Sequence, residues 1–176
     1  MRPSLVATIA AISLLLGVGI GFAAKYKGAG IDVIRNKPDK EAGLAALREA
    51  EQLANNGSWE LIGVGRVYYL TGEEARGQAL FDHVTNGKPG GADFERIAEV
   101  YAEAGENDKA SATFEKMLAL DPKDDSSLAE VGAWYMRIGQ RAKGEALLAQ
   151  ALERRPNEPW HYLRAAESLL GVPASR

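Results

Sequence analysis

Between residues 58 and 156 apolar and small side chains recur at helical spacing, three times over. Leu61, Gly65 and Tyr68 fall at i, i+4 and i+7, as do Phe94, Ala98 and Tyr101, and again Leu128, Gly132 and Tyr135. Each set is followed by a glycine (Gly72, Gly105, Gly139) and then by a second pair four residues apart: Gly77 and Phe81, Ala110 and Phe114, Gly144 and Leu148. Pro89, Pro122 and Pro156 close the units. Equivalent positions lie 33 and then 34 residues apart. The pattern predicts two amphipathic helices per unit, joined at the glycine and stopped at the proline.

Half units flank the three whole ones. In register with Gly77 and Phe81, one repeat earlier, stand Gly43 and Leu47, inside the amphipathic run "KEAGLAALREAEQLANNG". Pro38 precedes this run and Asn56-Gly57 ends it, so it is expected to be a lone second helix. In register with Leu128, Gly132 and Tyr135, one repeat later, stand Tyr162, Ala166 and Leu169, and Pro173 follows before another turn can form. That reads as a lone first helix. Half-repeats at the ends of an array cover apolar faces that would otherwise meet water. Eight helices are expected in all.

These residues resemble the tetratricopeptide repeat, a helix–turn–helix unit of about 34 residues. Gly65, Ala98 and Gly132 hold its small position in the first helix, and Gly77, Ala110 and Gly144 hold that in the second. Tyr68, Tyr101 and Tyr135, with Phe81, Phe114 and Leu148, fill the space between helices. The departures are mild: Leu61, Phe94 and Leu128 replace the usual opening tryptophan, and the junction after Pro89 is one residue short. The resemblance implies an all-α solenoid whose first helices line a concave face that holds an extended peptide or a helix. Carried onto this chain, that face comprises Trp59, Ile62, Arg66 and Tyr69, then Glu95, Glu99 and Glu103, then Ala133, Met136 and Arg137. The lysine and asparagine clamp by which some relatives hold a C-terminal carboxylate is absent, with Ile62 and Arg66 in that neighbourhood.

The N-terminus has a different pattern. Pro3 to Ala24 carry no charge, a run long enough to cross about 30 Å of hydrocarbon at about 1.5 Å per residue. Its glycines do not make a dinucleotide loop, because no strand precedes them and no βαβ pattern follows. Ser13, Gly17 and Gly21 fall at i, i+4 and i+8, the arrangement by which membrane helices pack closely. The same segment also has the parts of a secretory signal, with Arg2 as the positive start and Gly21-Phe22-Ala23 as a cleavage site. We expect a retained anchor, and the alternative is a cleaved, soluble periplasmic adaptor. Arg2 and the free amine favour an N-in orientation, while Lys25, Lys27, Arg35 and Lys37 argue the reverse. The expected location is the inner membrane of a bacterium, with the repeats on the periplasmic side.

The expected division is therefore an anchor or uncleaved signal over 1–27, a tether over 28–38 and a capping helix over 39–57. Three repeats over 58–158, a second capping helix over 159–172 and a tail over 173–176 follow. Ile31, Val33 and Ile34 give the tether some apolar character, although its composition suits a plain linker.

Charge and composition narrow the function. From residue 28 onward 18 bases face 24 acids, a net of −6, and no basic stripe appears, so nucleic acid is not an expected partner. Cysteine is absent, which removes disulfides, thiolate metal sites and thiol catalysis. His83 and His161 stand alone, without ligand spacing. Asp121, Asp124 and Asp125 lack the spacing of a calcium loop and suit helix caps instead. No nucleophile, phosphate-loop or zinc-protease motif is present. No enzyme activity, cofactor, metal or small-molecule substrate is expected. What remains is a protein-binding scaffold at the membrane, an assembly factor or accessory subunit of a larger complex. Glu95, Glu99 and Glu103, at i, i+4 and i+8, form an acidic stripe that is either a solvated face or the seat of a partner's basic segment.

Overall fold

The computed structural model describes residues 27–173, and among them it contains helices and no strands. The helices are α1 (Asp39–Ala54), α2 (Ser58–Leu70), α3 (Glu74–Thr85), α4 (Gly91–Glu103), α5 (Asn107–Leu120), α6 (Asp125–Arg137), α7 (Arg141–Arg154) and α8 (Pro159–Leu170). Helices α2 and α3, α4 and α5, and α6 and α7 form the three hairpins, with α1 packed on α2 and α8 packed on α6. The solenoid and its eight helices are those expected.

The spacing of tyrosine and glycine has a backbone cause. Gly72, Gly105 and Gly139 adopt φ of +94°, +80° and +83°, a region costly for any side chain. That turn lets the next amide reach back: Glu73 N–H donates to the Tyr68 carbonyl at 2.9 Å, Glu106 to Tyr101 at 2.8 Å and Gln140 to Tyr135 at 2.8 Å. Each first helix thus ends in the same Schellman closure. The tyrosine rings above these carbonyls are buried at 1%, 6% and 1% exposure.

The small positions are contact points between backbones. A Cβ added to Gly65 would lie 2.6 Å from the Phe81 ring, and one on Gly77 would lie 2.6 Å from the Gly65 carbonyl. In the third unit a Cβ on Gly132 would meet the Gly144 carbonyl at 2.9 Å, and one on Gly144 would meet the Gly132 carbonyl at 2.5 Å. The middle unit uses Ala98 and Ala110, both fully buried. Between hairpins the core is aromatic. Tyr69 packs edge-on to Tyr101 at 5.5 Å, Phe81 edge-on to Tyr101 at 5.8 Å, and Phe114 lies 5.4 Å from Trp134. Emptying a site such as Phe114 costs about 3–5 kcal/mol in a core of this kind.

Two features of the N-terminal region bear on the sequence expectations. The segment that suits a plain linker forms a 3-10 turn over Gly30–Val33 lying against α1, where the Ala29 N–H donates to Glu49 at 2.7 Å. Among the described residues no helix is long and apolar enough to cross a membrane. The expected span from Pro3 to Ala24, with Ser13, Gly17 and Gly21, lies outside them.

Candidate functional site

The face formed by the first helices is furrowed by three recesses, and α4 borders all of them. The first, about 420 Å³, lies between the start of α4, the start of α6 and α8, and contains Glu95, Glu130, His161 and Arg164. The second, about 580 Å³, is bordered by Glu99, Glu103, Trp134 and Arg137 and by the chain from Gly171 to Pro173. The third, about 160 Å³, lies between α2 and α4 and is lined by Trp59, Ile62, Arg66, Arg96, Glu99 and Glu103.

Seven of the ten expected groove residues reach these recesses. Trp59 is exposed and carries the Arg96 guanidinium 3.8 Å from its ring centroid. Arg66 is bidentate to Glu103, with one of the two bonds, Nε to Oε2, at 2.7 Å. Ile62 is buried beneath them, and Arg137 stands over the Trp134 ring at 5.0 Å.

The other three reach none of the recesses. Tyr69 is 4% exposed: its ring lies in the aromatic core and its hydroxyl donates to Glu106 at 2.6 Å. Met136 is buried against Gly144. Ala133 is buried where α8 crosses α6, and its carbonyl accepts from the Ser168 hydroxyl. Tyr69 and Met136 occupy the same repeat position, and both lie over the small residue of their own second helix. That packing role, rather than the concave face, accounts for them.

The carboxylates of the acidic stripe lie in different surroundings. Glu103 is already neutralised by Arg66. Glu95 is half-buried, and its carboxyl is pushed up to about 7, by burial first and then by Glu130 and Glu99, against the opposing pull of Arg164 and Arg96. Glu130 is raised by burial as well, with Arg164 opposing. Arg164 Nε lies 2.7 Å from Glu130 and its Nη1 2.9 Å from Glu167, and these carboxylates in turn hold its guanidinium strongly protonated.

Arg96, Glu130, Arg164, Glu167, Trp134 and Trp160 were not singled out from the sequence, yet the repeat register marks several of them. Arg96, Glu130 and Arg164 occupy one position in successive first helices, an alternating row of charge across the face. Trp160 repeats Trp59 three units on, and each is 56% exposed. Reading across the repeats as well as along α4 would have found this row.

The isolated histidines and aspartates have local roles. His161 is 1% exposed and its Nε2 lies 2.9 Å from Asp125, which Arg155 also contacts. Asp124 caps α6 by accepting from the Ser127 N–H at 2.8 Å. Its carboxyl is held below the usual range first by the Ser127 side chain and then by the Ser127 and Ser126 amides, against burial. Among the described residues no group of three potential ligands is placed to hold a metal ion.

A tetratricopeptide-repeat family model matches residues 101–167, from the end of α4 into α8. The fold resembles the crystal structure of MamA, with a TM-score of 0.50 and 15% identity over 75% of this chain and 80% of that one. A crystal structure of YrrB, described as a TPR protein with an unusual peptide-binding site, aligns with a TM-score of 0.47 and 15% identity over 72% of this chain and 67% of that one. No curated protein matches the sequence. The match is thus to residues 101–167, and the helical solenoid extends on both sides of them.

Proposed function

We propose that this chain is a non-catalytic scaffold that holds a basic segment of a partner protein along α4, as an assembly factor or accessory subunit of a membrane complex. The observation that carries the reading is the pairing of Glu95 with Glu130 across an open recess. Burial raises both carboxyls, and Glu130 raises that of Glu95 further. Arg164 is paired with Glu130, and a lysine or arginine side chain entering the recess would give Glu95 a countercharge of its own, so Glu95 ionises as the partner binds. Trp59 and Trp160, exposed at either side, offer aromatic faces to the same segment. In this reading residues 1–27 anchor the scaffold and the repeats stand on the periplasmic side of a bacterial inner membrane. The support for that placement is the uncharged run from Pro3 to Ala24, its small-residue face and the positive Arg2.

The test is titration calorimetry of the full chain in detergent with a lysine-rich and a glutamate-rich peptide of equal length, near pH 7, in buffers of different ionisation enthalpy. The lysine-rich peptide should bind with release of a proton, and Glu95→Gln should abolish that release. Binding should weaken steeply with salt. Equal affinity for the two peptides, or no proton release, would remove the basic-segment reading. Alkaline extraction of native membranes tests the anchor: the chain should stay in the pellet, and release into the supernatant would favour the soluble adaptor.

A further inference from the structure

We infer that copies of this chain associate head to tail, α8 of one copy taking α1 of the next as its missing second helix. The argument starts from four positions that recur in every first helix. Leu61, Phe94 and Leu128 are exposed by 4%, 7% and 3%, whereas Tyr162, the same position in α8, is exposed by 54%. Tyr68, Tyr101 and Tyr135 are buried, whereas Leu169 is exposed by 53%. Tyr69 and Met136 are buried over the small residue of their own second helix, whereas Leu170 is exposed by 77%. Ala166 holds the small position that lets backbones touch, with no second helix following it among the described residues.

The other end of the molecule carries the complement. Among the described residues helix α1 is a second helix without a first. Its Gly43 stands where Gly77, Ala110 and Gly144 stand in the whole units, and a Cβ built there meets nothing within 4 Å. In the units that have both helices, a Cβ built on Gly77 or Gly144 comes within 3 Å of the facing backbone. Gly28 and Ala29, just before the 3-10 turn, rest on Glu49 and Leu53, further along α1, and leave Gly43 open. Among the described residues, one end thus lacks a second helix and shows the apolar residues that would cover one, and the opposite end presents a second helix whose crossing glycine has nothing to cross.

Joining them continues an interface the chain already forms three times. Ala166 would meet Gly43 as Gly132 meets Gly144, and Leu170 would lie over Gly43 as Met136 lies over Gly144. Such contact is heterologous, the same two different faces at every junction, so it propagates into an open row or closes into a ring. Stacking neighbours is also how repeat units gain stability. At the α8 end the recesses use Trp160, His161, Arg164 and the chain from Gly171 to Pro173, whereas the junction uses Tyr162, Ala166, Leu169 and Leu170, which line none of them, so assembly stands or falls independently of the partner segment.

The chain has no native cysteine, which makes the test direct. Ala46→Cys and Ala166→Cys are introduced into the full chain in detergent, singly and together, and oxidised mildly. Ala46 stands where Leu147 stands, whose Cβ lies 3.3 Å from a Cβ built on Gly132, so the pair is within disulfide reach without filling the glycine crossing. The double variant should give a ladder at multiples of 18.9 kDa. Each single variant should stay monomeric, and a mixture of the two singles should give one dimer band. Adding Leu170→Glu to the double variant should cut the ladder at least tenfold while leaving the helical melting curve unchanged, because Leu170 is a surface residue in the single chain. The inference is overturned if the double variant gives no ladder or if Leu170→Glu leaves the ladder intact. It is equally overturned if Ala166→Cys alone dimerises as well as the mixture, which would mean α8 against α8. Resistance of the Ala166→Cys variant to a maleimide at high dilution also overturns it, since another part of the same chain would then cover α8.

Discussion

Glu95 and Glu103 stand on one face of α4, two turns apart, in opposite chemical situations. Glu103 is met by Arg66 from α2 in a bidentate pair whose partners are 39% and 42% exposed. Glu95 is met by Glu130 from α6 in a half-buried recess, with its carboxyl pushed up to about 7. The same residue type on the same face is ion-paired with an arginine at one end and, at the other, is a carboxyl raised by burial and by its acidic neighbours. What differs is the first helix that comes alongside: α2 offers a guanidinium and α6 a second carboxylate. The contrast teaches that charge on a repeat surface belongs to the row across helices rather than to the helix that carries it.

The comparison depends first on α6 lying where the Gly132–Gly144 crossing puts it. Gly132→Leu should force that crossing apart and carry Glu130 away from Glu95. The cost should reach the top of the roughly 1–3 kcal/mol typical of overpacking, or exceed it, because the obstructing atoms are backbone. Urea unfolding should show the loss, and an unchanged midpoint would mean the helix faces are misplaced.

Removing the cation at the buried end should have the next largest effect. Arg164→Leu leaves Glu130 and Glu167 buried without their partner, a loss of about 3 kcal/mol when such a pair is broken. The deficit should be larger at pH 8 than at pH 5, since protonation of Glu130, whose pKa is already raised, relieves it. Equal deficits at both pH values would show that the guanidinium acts by packing alone.

Glu95→Gln sharpens the contrast with a smaller effect of opposite sign. The folded protein holds the Glu95 proton up to about pH 7, while the unfolded chain releases it near the ordinary value of 4.5. Between those values the native state binds more protons, so the contribution of Glu95 to stability is present below about 4.5 and is lost as pH rises through 7. The glutamine variant should match the parent at pH 4.5 and exceed it by roughly 1 kcal/mol at pH 8, a figure reduced for solvent screening of a half-buried group. A variant no more stable than the parent at pH 8 would show that Glu95 is not strained by its neighbours.

Glu103→Gln should do least, since an exposed pair contributes roughly 0.2–1 kcal/mol. Its effect should shrink further in about 0.5 M salt, where screening is nearly complete over the pair distance. A salt-independent loss would mean the Arg66 contact is less exposed in solution.

Much of the fold was legible because it is written three times. Gly72, Gly105 and Gly139 fall in step with Tyr68, Tyr101 and Tyr135 because each turn needs a left-handed residue to close back on the tyrosine carbonyl. Gly77 and Gly144 fall in step with Gly65 and Gly132 because two backbones touch there. The concave face was only partly legible. Tyr69, Ala133 and Met136 belong by position to first helices, yet they point to their own second helix or beneath α8, and helical periodicity does not distinguish those faces. Glu130 and Arg164 escaped notice because each looks like an ordinary surface charge within its own helix.

The sequence by itself determined the periodicity, the helix pairs, the turns and the places where only a small residue fits, since these are local or depend on a repeat that copies itself. It also marked α1 as standing in register with the second helices and α8 with the first. The tertiary structure decided which carboxylates carry charge, because ionisation depends on burial and on neighbours one and two repeats away. It likewise decided that Arg66 is committed to Glu103, that Arg96 lies on Trp59 and that Tyr162, Leu169 and Leu170 remain uncovered. Each depends on how far one helix is set from the next, and that separation is fixed by the packing of side chains from distant parts of the chain.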